Sequence, residues 1–375
     1  MLGHGHPAVV EAVVRTVQQG ITCGVETELA VRAAECISEK LPGETQIRFA
    51  NSGTEAALHC IRIARAATGR DKIAKFEGSY HGWADPVLVS AWPDLREAGP
   101  AHRPRPLAAS GGILAETVKQ TVVLPFNDLH AVEAILREQA ADMAAVILEP
   151  AMIDVGYVGP DPGFLQGLRA LTKELGIVLI FDELLTGFRL APGGAQEFFG
   201  VEADLIMLGK AVANGFPISV VAGKPQLMDL VRPGGPVAFQ GTFNGHSASL
   251  AAVIAVMELL DTDGVLVQLQ EKTELLQEAF AGLCQRHGVM AHLGGRGGHI
   301  HPYFVEGTVR NYRDAARSNR DRYLAFAGAL SERQIYFYAN PLLHHAISLA
   351  HGDRELELLI DAMSEGLRRA AKIAA

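Results

Sequence analysis

The amino-acid sequence predicts an α/β protein in which a mostly parallel sheet of seven strands carries helices on both faces and is followed by a smaller α+β domain. Three observations lead there. Short apolar runs bounded by turn residues alternate with helical segments as far as Leu260, the pattern of strands buried on both faces. Two of these runs, Ile177 to Phe181 and Leu205 to Leu208, end in Asp182-Glu183 and Gly209-Lys210, so each delivers an ionisable group to the strand edge where open α/β sheets place ligands. Beyond Asp261 the chain changes to a long charged helix, the turn Gly294-Gly295-Arg296-Gly297-Gly298 and a strand from His299 to Val305. The expected division is a helical segment at 1–40, a large ligand-binding domain at 41–260 and a small domain at 261–375.

A chain of 375 residues that is 49% hydrophobic and 20% charged can build one large core and a smaller one. Its net charge of −9 argues against nucleic acid or an anionic membrane surface as a partner. Apolar segments are broken by Gly, Pro or charge before they reach about 18 residues, so no transmembrane helix is expected. The start, Met1-Leu2-Gly3-His4-Gly5-His6-Pro7, lacks the basic region and apolar stretch of a secretory signal. The cysteines, Cys23, Cys36, Cys60 and Cys284, lack CxxC spacing. Both features fit a cytoplasmic enzyme with reduced thiols.

The elements follow in order. Residues 8–19 and Glu28 to Lys40 have helical apolar spacing, and Leu41-Pro42-Gly43 stops the second. His4-x-His6 offers too few ligands for a closed metal site, so no metal is expected. The strand Ile47 to Ala50 runs into Asn51-Ser52-Gly53-Thr54-Glu55-Ala56 and a helix from Ala57 to Ala67. Ser52 or Thr54 can cap that helix while its free N–H groups face an anion, and the plain alternative is a capping box without ligand. The strand Lys72 to Phe76 leads into Glu77-Gly78-Ser79-Tyr80-His81-Gly82-Trp83, where Tyr80 can lie flat on a heteroaromatic ring or form the rim of a subunit interface.

From Ala91 to Glu116 no period is sustained, which predicts a structureless mobile lid across about Trp92 to Leu114. Strands recur at Thr121 to Leu124 and Ala145 to Leu148, the latter ending in Glu149-Pro150. A helix from about Pro162 to Leu175 and a last strand from Ile218 to Ala222 complete the large sheet. Gly241-Thr242-Phe243-Asn244-Gly245-His246 then precedes an apolar helix, Ala248 to Leu260, and the small domain adds helices at about Tyr312 to Leu330 and Arg354 to Lys372.

A carboxylate and an amine at neighbouring strand ends are what a pyridoxal phosphate enzyme needs, the amine to form a Schiff base and the acid to keep the pyridine nitrogen protonated. The words Asp182-Glu183-Leu184-Leu185-Thr186-Gly187-Phe188-Arg189, Ala203-Asp204-Leu205, Gly209-Lys210 and Gly215-Phe216-Pro217 resemble the signature of class III aminotransferases, nearest to the glutamate-1-semialdehyde 2,1-aminomutase group. The resemblance implies fold type I and pyridoxal 5'-phosphate as cofactor. It implies catalytic roles for Lys210 and Asp182, phosphate binding by Ser52, Gly53 and Thr54, and ring stacking by Tyr80 with His81 beside it. It also brings Glu149 and Asp154 near the cofactor, and it implies a homodimer in which Thr242 binds the phosphate of the neighbouring subunit. Glu183 is read as either an ordering contact or a strand-end salt-bridge residue.

Three departures from the relatives stand out. The chain begins where they already have an N-terminal segment, which points to a compact enzyme or a mis-assigned start. Leu343 falls where aminomutases carry a glutamate, and Asp154 stands where relatives commonly have an Asn. Loss of a pocket carboxylate favours apolar amines or amino acids over a polar diamine-like intermediate. The expected activity is therefore amino transfer between an amine or amino acid and a keto acid or aldehyde. Intramolecular aminomutation is the alternative, and a non-catalytic protein on the same scaffold is the second; no GxGxxG follows the first strand, which argues against a dinucleotide-binding oxidoreductase.

Overall fold

The computed structural model describes residues 1–21, 25–262 and 264–374. The chain divides into two compact units, one of His4–Pro150 and Pro160–Asp263, the other of Met1–Gly3, Ala151–Gly159 and Gly264–Ala375. Cys23 lies outside the described residues.

The larger unit opens with α1 (Pro7–Gln19) and α2 (Glu28–Ser38). Its sheet is built from β1 (Gln46–Ala50), β2 (Lys72–Phe76), β3 (Thr121–Leu124), β4 (Met143–Leu148), β5 (Val178–Asp182), β6 (Leu205–Gly209) and β7 (Ser219–Gly223). Their spatial order is β1-β7-β6-β5-β4-β2-β3, and β7 runs antiparallel to both its neighbours while the other pairs are parallel. Strands β4 to β7 are buried along their whole length, which explains why they read as continuous apolar runs without alternation.

Helices α3 (Gly53–Thr68), α4 (Ala115–Lys119), α5 (Leu129–Gln139), α6 (Phe164–Leu175), α7 (Gly194–Phe199), α8 (Pro225–Met228) and α9 (Ser247–Leu260) join and flank the strands. Helix α3 starts at Gly53, ahead of the expected Ala57, because the Ser52 hydroxyl accepts the Glu55 N–H and Glu55 takes the Asn51 N–H at 2.6 Å, so the first turn is capped from both sides. Helix α9 is apolar on nearly every face and packs against α1 and α2.

The stretch expected to be a structureless lid is pinned instead. Val89 pairs antiparallel with Ala108, the Ser90 N–H donates to the Leu107 carbonyl at 2.7 Å, and the Arg105 N–H donates to the Ala98 carbonyl at 2.8 Å. Single bridges of this kind leave no periodicity for a sequence to show.

The smaller unit holds α10 (Val265–His287), a hairpin of β8 (His292–Arg296) and β9 (His299–Tyr303), α11 (Tyr312–Ala315), α12 (Arg320–Glu332), β10 (His345–Ala346) and α13 (Asp353–Ala370). Its three strands form an antiparallel sheet in the order β10-β9-β8. The single helix expected over Tyr312 to Leu330 is broken in two, because Asn319 leaves helical geometry, donates its N–H to the Phe304 carbonyl at 2.8 Å and caps α12 through the Arg322 N–H. Among the described residues no helix is long and apolar enough to cross a membrane.

Candidate active site

The C-terminal ends of β5 and β6 lie side by side, with Asp182 in register with Met207, three residues before Lys210. Asp182 is 3% exposed. Its Oδ1 accepts the Leu184 N–H at 3.0 Å and its Oδ2 faces His81 Nδ1 at 2.8 Å. An ionised carboxyl has about four acceptor positions, so Asp182 keeps capacity for a further donor. Lys210 opens a 3-10 turn with φ of 46°, a left-handed conformation rare outside glycine, and its side chain is exposed in the single chain. Such a residue stores backbone strain of the kind that gathers at functional sites.

Leu184 ties three sequence-distant words together. A Cβ built on Gly53 would lie 2.4 Å from one Leu184 methyl, and a Cβ on Gly209 would lie 2.6 Å from the other. The absence of side chains at 53 and 209 thus lets one leucine bridge the start of α3 and the end of β6. Ser219, the first residue of β7, donates its hydroxyl to the Ser52 carbonyl at 2.7 Å and closes the same corner. At Ser52 the cap read as the plain alternative is present: its hydroxyl accepts the Glu55 N–H, while the Glu55 carboxylate reaches back to the Asn51 N–H. Thr54 Oγ1 accepts the Trp83 N–H at 3.3 Å, joining the start of α3 to the Tyr80–Trp83 turn.

The other expected residues are placed as follows. The Tyr80 ring stacks on Trp92, centroids 5.3 Å apart and planes 12° from parallel. Glu149 is buried just past the end of β4, and Thr242 is exposed in the turn before α9, where Asn51 Nδ2 donates to Asn244 Oδ1 at 2.8 Å. Asp154 belongs to the smaller unit, inside the turn closed by the Met152–Val158 bridge. Among the described residues no group of three His, Cys, Asp or Glu side chains is placed to hold a metal ion.

The family model for Aminotransferase class-III matches residues 1–325. The chain belongs to the class III aminotransferases. A glutamate-1-semialdehyde 2,1-aminomutase from Methanothermobacter thermautotrophicus is 40% identical over 367 residues, covering 98% of this chain and 85% of that protein. An omega-transaminase from Sphaerobacter thermophilus superposes with a TM-score of 0.92 at 34% identity, over 98% of this chain and 84% of that one. A transaminase solved with PLP bound superposes at 0.88 with 28% identity, over 99% and 84%. This aminotransferase is accordingly an enzyme of fold type I, and its cofactor is pyridoxal 5'-phosphate.

Two buried ionisable groups beside these strand ends are placed by backbone contacts. Among the described residues Glu183 has no ion-pair partner, and of its two readings the ordering contact is the one seen: it is 1% exposed and accepts the N–H groups of Ala195 at 2.5 Å and Gln196 at 3.3 Å, so it caps α7. Burial pushes its carboxyl up to about 7, against the pull of those two N–H groups. Lys75 is fully buried and donates to the carbonyls of Ser79 at 2.7 Å and Val89 at 2.6 Å, fixing the loop that carries Tyr80 and His81. The sequence missed Lys75; a lysine between apolar residues of a strand, Ala74 and Phe76, was the available signal.

A polar cleft of about 210 Å³, lined by Glu44, Gln196, Glu202 and Lys224 among others, sits at the opposite end of β6 and contains none of these groups. Asp204 lies there between Arg169 Nη1 at 2.8 Å and Lys224 Nζ at 2.7 Å and also accepts the Leu179 N–H at 2.8 Å.

Proposed function

We propose that this class III aminotransferase exchanges an amino group between an amine or amino acid and a keto acid or aldehyde, with Lys210 as the residue that carries the cofactor. The observation behind this is that Asp182 and Lys210 leave the C-terminal ends of adjacent parallel strands, with Leu184 bridging them to the N-terminus of α3. Pyridoxal phosphate, when bound, supplies an electron-withdrawing ring that stabilises charge developing on the substrate carbon. Asp182 holds the proton of the ring nitrogen through its remaining acceptor capacity. Ser52, Gly53 and Thr54 bind phosphate at the start of α3, and Tyr80 lies against the ring. Lys210 Nζ would carry the proton from the substrate carbon to the cofactor carbon, a role suited to a lysine tethered beside the reacting atoms. Glu149 and His81 support the site around these groups.

The working form in this reading is a cytoplasmic homodimer in which Thr242 completes the neighbour's phosphate seat. Exposed Thr242, the 61% exposed Phe243 beside it and the 72% exposed Trp83 next to Thr54 support an interface there. Free thiols at Cys36, Cys60 and Cys284 fit a reducing compartment. Sedimentation of the native protein and of a Thr242→Ala variant, with cofactor affinity measured on both, tests the assembly.

For substrate, Leu343 at the place of an aminomutase glutamate favours intermolecular transfer. The 40% identity to an aminomutase favours the second reading, intramolecular transfer on glutamate semialdehyde. Assaying both reactions on one preparation separates them: amine-to-pyruvate transfer exceeding isomerisation supports the first reading, and the reverse overturns it. An absorbance scan of the purified holoprotein tests the role of Lys210, since its visible cofactor band is expected to vanish in Lys210→Ala and its persistence would overturn the assignment.

A further inference from the structure

The turn after β2 contains a hydrogen-bond ladder whose proton count can be worked out. The Ser79 hydroxyl donates to the Phe76 carbonyl at 2.6 Å, which spends its single proton. His81 Nε2 lies 3.0 Å from the same Ser79 oxygen. With the hydroxyl proton committed elsewhere, that contact is a hydrogen bond only if Nε2 carries the hydrogen and Ser79 accepts it. The other ring nitrogen, Nδ1, lies 2.8 Å from Asp182 Oδ2. This contact needs a proton as well, on either the imidazole or the carboxyl. His81 and Ser79 are 0% exposed and Asp182 is 3% exposed, so water does not substitute for any rung.

We propose that Ser79 and His81 are positioning residues for Asp182: by giving its proton to the Phe76 carbonyl, Ser79 obliges His81 to donate from Nε2, and the His81–Asp182 pair then keeps two protons and no net charge. A neutral imidazole beside a lone carboxylate would hold one proton from Nδ1 and leave the pair at a charge of −1; Ser79 selects against that state. The ladder also holds the imidazole plane at both nitrogens, so the orientation of Asp182 is set by β2 as well as by β5.

The charged and titratable groups facing this pair are known. Lys75, on β2, presents its ammonium to the Ser79 carbonyl and disfavours a second positive charge on His81. Cys60 of α3 and Glu183 of the β5 exit both feel the Asp182 charge, and each is buried. Burial is the largest influence on His81 and pushes it toward the neutral ring, with the Asp182 contact acting the other way. The presence of the bridging proton, not its exact position, is what Ser79 determines.

The inference that Asp182 thereby tunes the cofactor rests on the function proposed above; the proton count does not. Nitrogen-15 NMR of the apoprotein and the holoprotein, with histidine labelled and His81 assigned by difference from His81→Gln, tests the count. The expected result is a protonated Nε2 in the native protein from pH 6 to 9, and a move of the hydrogen to Nδ1 in Ser79→Ala. An unprotonated Nε2 in the native protein overturns the proposal without any variant. On the holoprotein, Ser79→Ala is expected to shift the pH midpoint of the visible cofactor band by about one unit, the equivalent of one charge-assisted hydrogen bond, and Ser79→Thr to restore it. A tautomer change in Ser79→Ala with an unmoved midpoint would leave the ladder standing and overturn the link between Asp182 and the cofactor.

Discussion

Glu183 Oε2 accepts the Ala195 N–H at 2.5 Å from a site that is 1% exposed, so a carboxyl directly beside Asp182 serves as the cap of a short helix. Its folded pKa of about 7 lies above the ordinary 4.5, mainly because burial penalises the charge. A raised carboxyl contributes stability that is complete below about 4.5 and is lost as pH rises through about 7, reaching a cost of about 3 kcal/mol above that. Urea denaturation of the apoprotein is expected to show stability falling between pH 5 and pH 8, and Glu183→Gln to flatten that fall. A variant profile parallel to the native one would contradict this assignment.

Gly82 has φ of +104°, and a Cβ there would stand 2.5 Å from Thr54 Oγ1 and 2.8 Å from Thr54 Cα. Backbone strain and collision with main chain both act against a side chain. Gly82→Ala is expected to lose about 2–3 kcal/mol of stability and, if the displaced Thr54 belongs to the proposed phosphate seat, to weaken cofactor binding. Thermal melts and cofactor titration check the two effects separately.

Asp182→Asn keeps an acceptor for the Leu184 N–H but removes the charge. Turnover is expected to fall by about a hundredfold or more, as when one preorganised electrostatic partner is removed from an active site. Comparison of kcat with substrate KM is the decisive measurement: a loss confined to KM would mean that Asp182 binds substrate and does not act on the ring.

Asp204 is held below the usual carboxylate range: burial alone would raise it, and the Leu179 N–H, Lys224 and Arg169 outweigh burial. A depressed carboxyl contributes stability present above the ordinary value of 3.8 and lost as pH falls through the folded value. Asp204→Asn is expected to cost about 2–3 kcal/mol at pH 7, with the gap to the native protein closing below pH 4. A pH-independent gap in denaturation midpoint would assign the loss to packing.

Strands β5 and β6 were legible because each is a short apolar run that stops at ionisable residues, Asp182-Glu183 for one and Lys210 for the other, and Ser52 was legible because a cap is a local event. The ladder from Phe76 through Ser79 and His81 to Asp182 was not, since its last rung crosses from the loop after β2 to the end of β5. Nothing local to residue 81 announces a partner 101 positions away in the chain. The break before Asn319 was hidden for a different reason: α11 stops at Ala315, and Ser318 and Asn319 are both held by the distant Phe304 backbone before α12 begins. Glycines 53 and 209 looked like turn residues, whereas their use is to admit Leu184.

Strand β6 has the Asp204 ion cluster before its first residue and Lys210 after its last, a span of roughly 20 Å at the usual rise of an extended chain. The rim around exposed Gln226 is therefore a suitable handle for fixing the catalyst to a bead or attaching a dye, since chemistry there is kept from the Lys210 amine by the length of a buried strand.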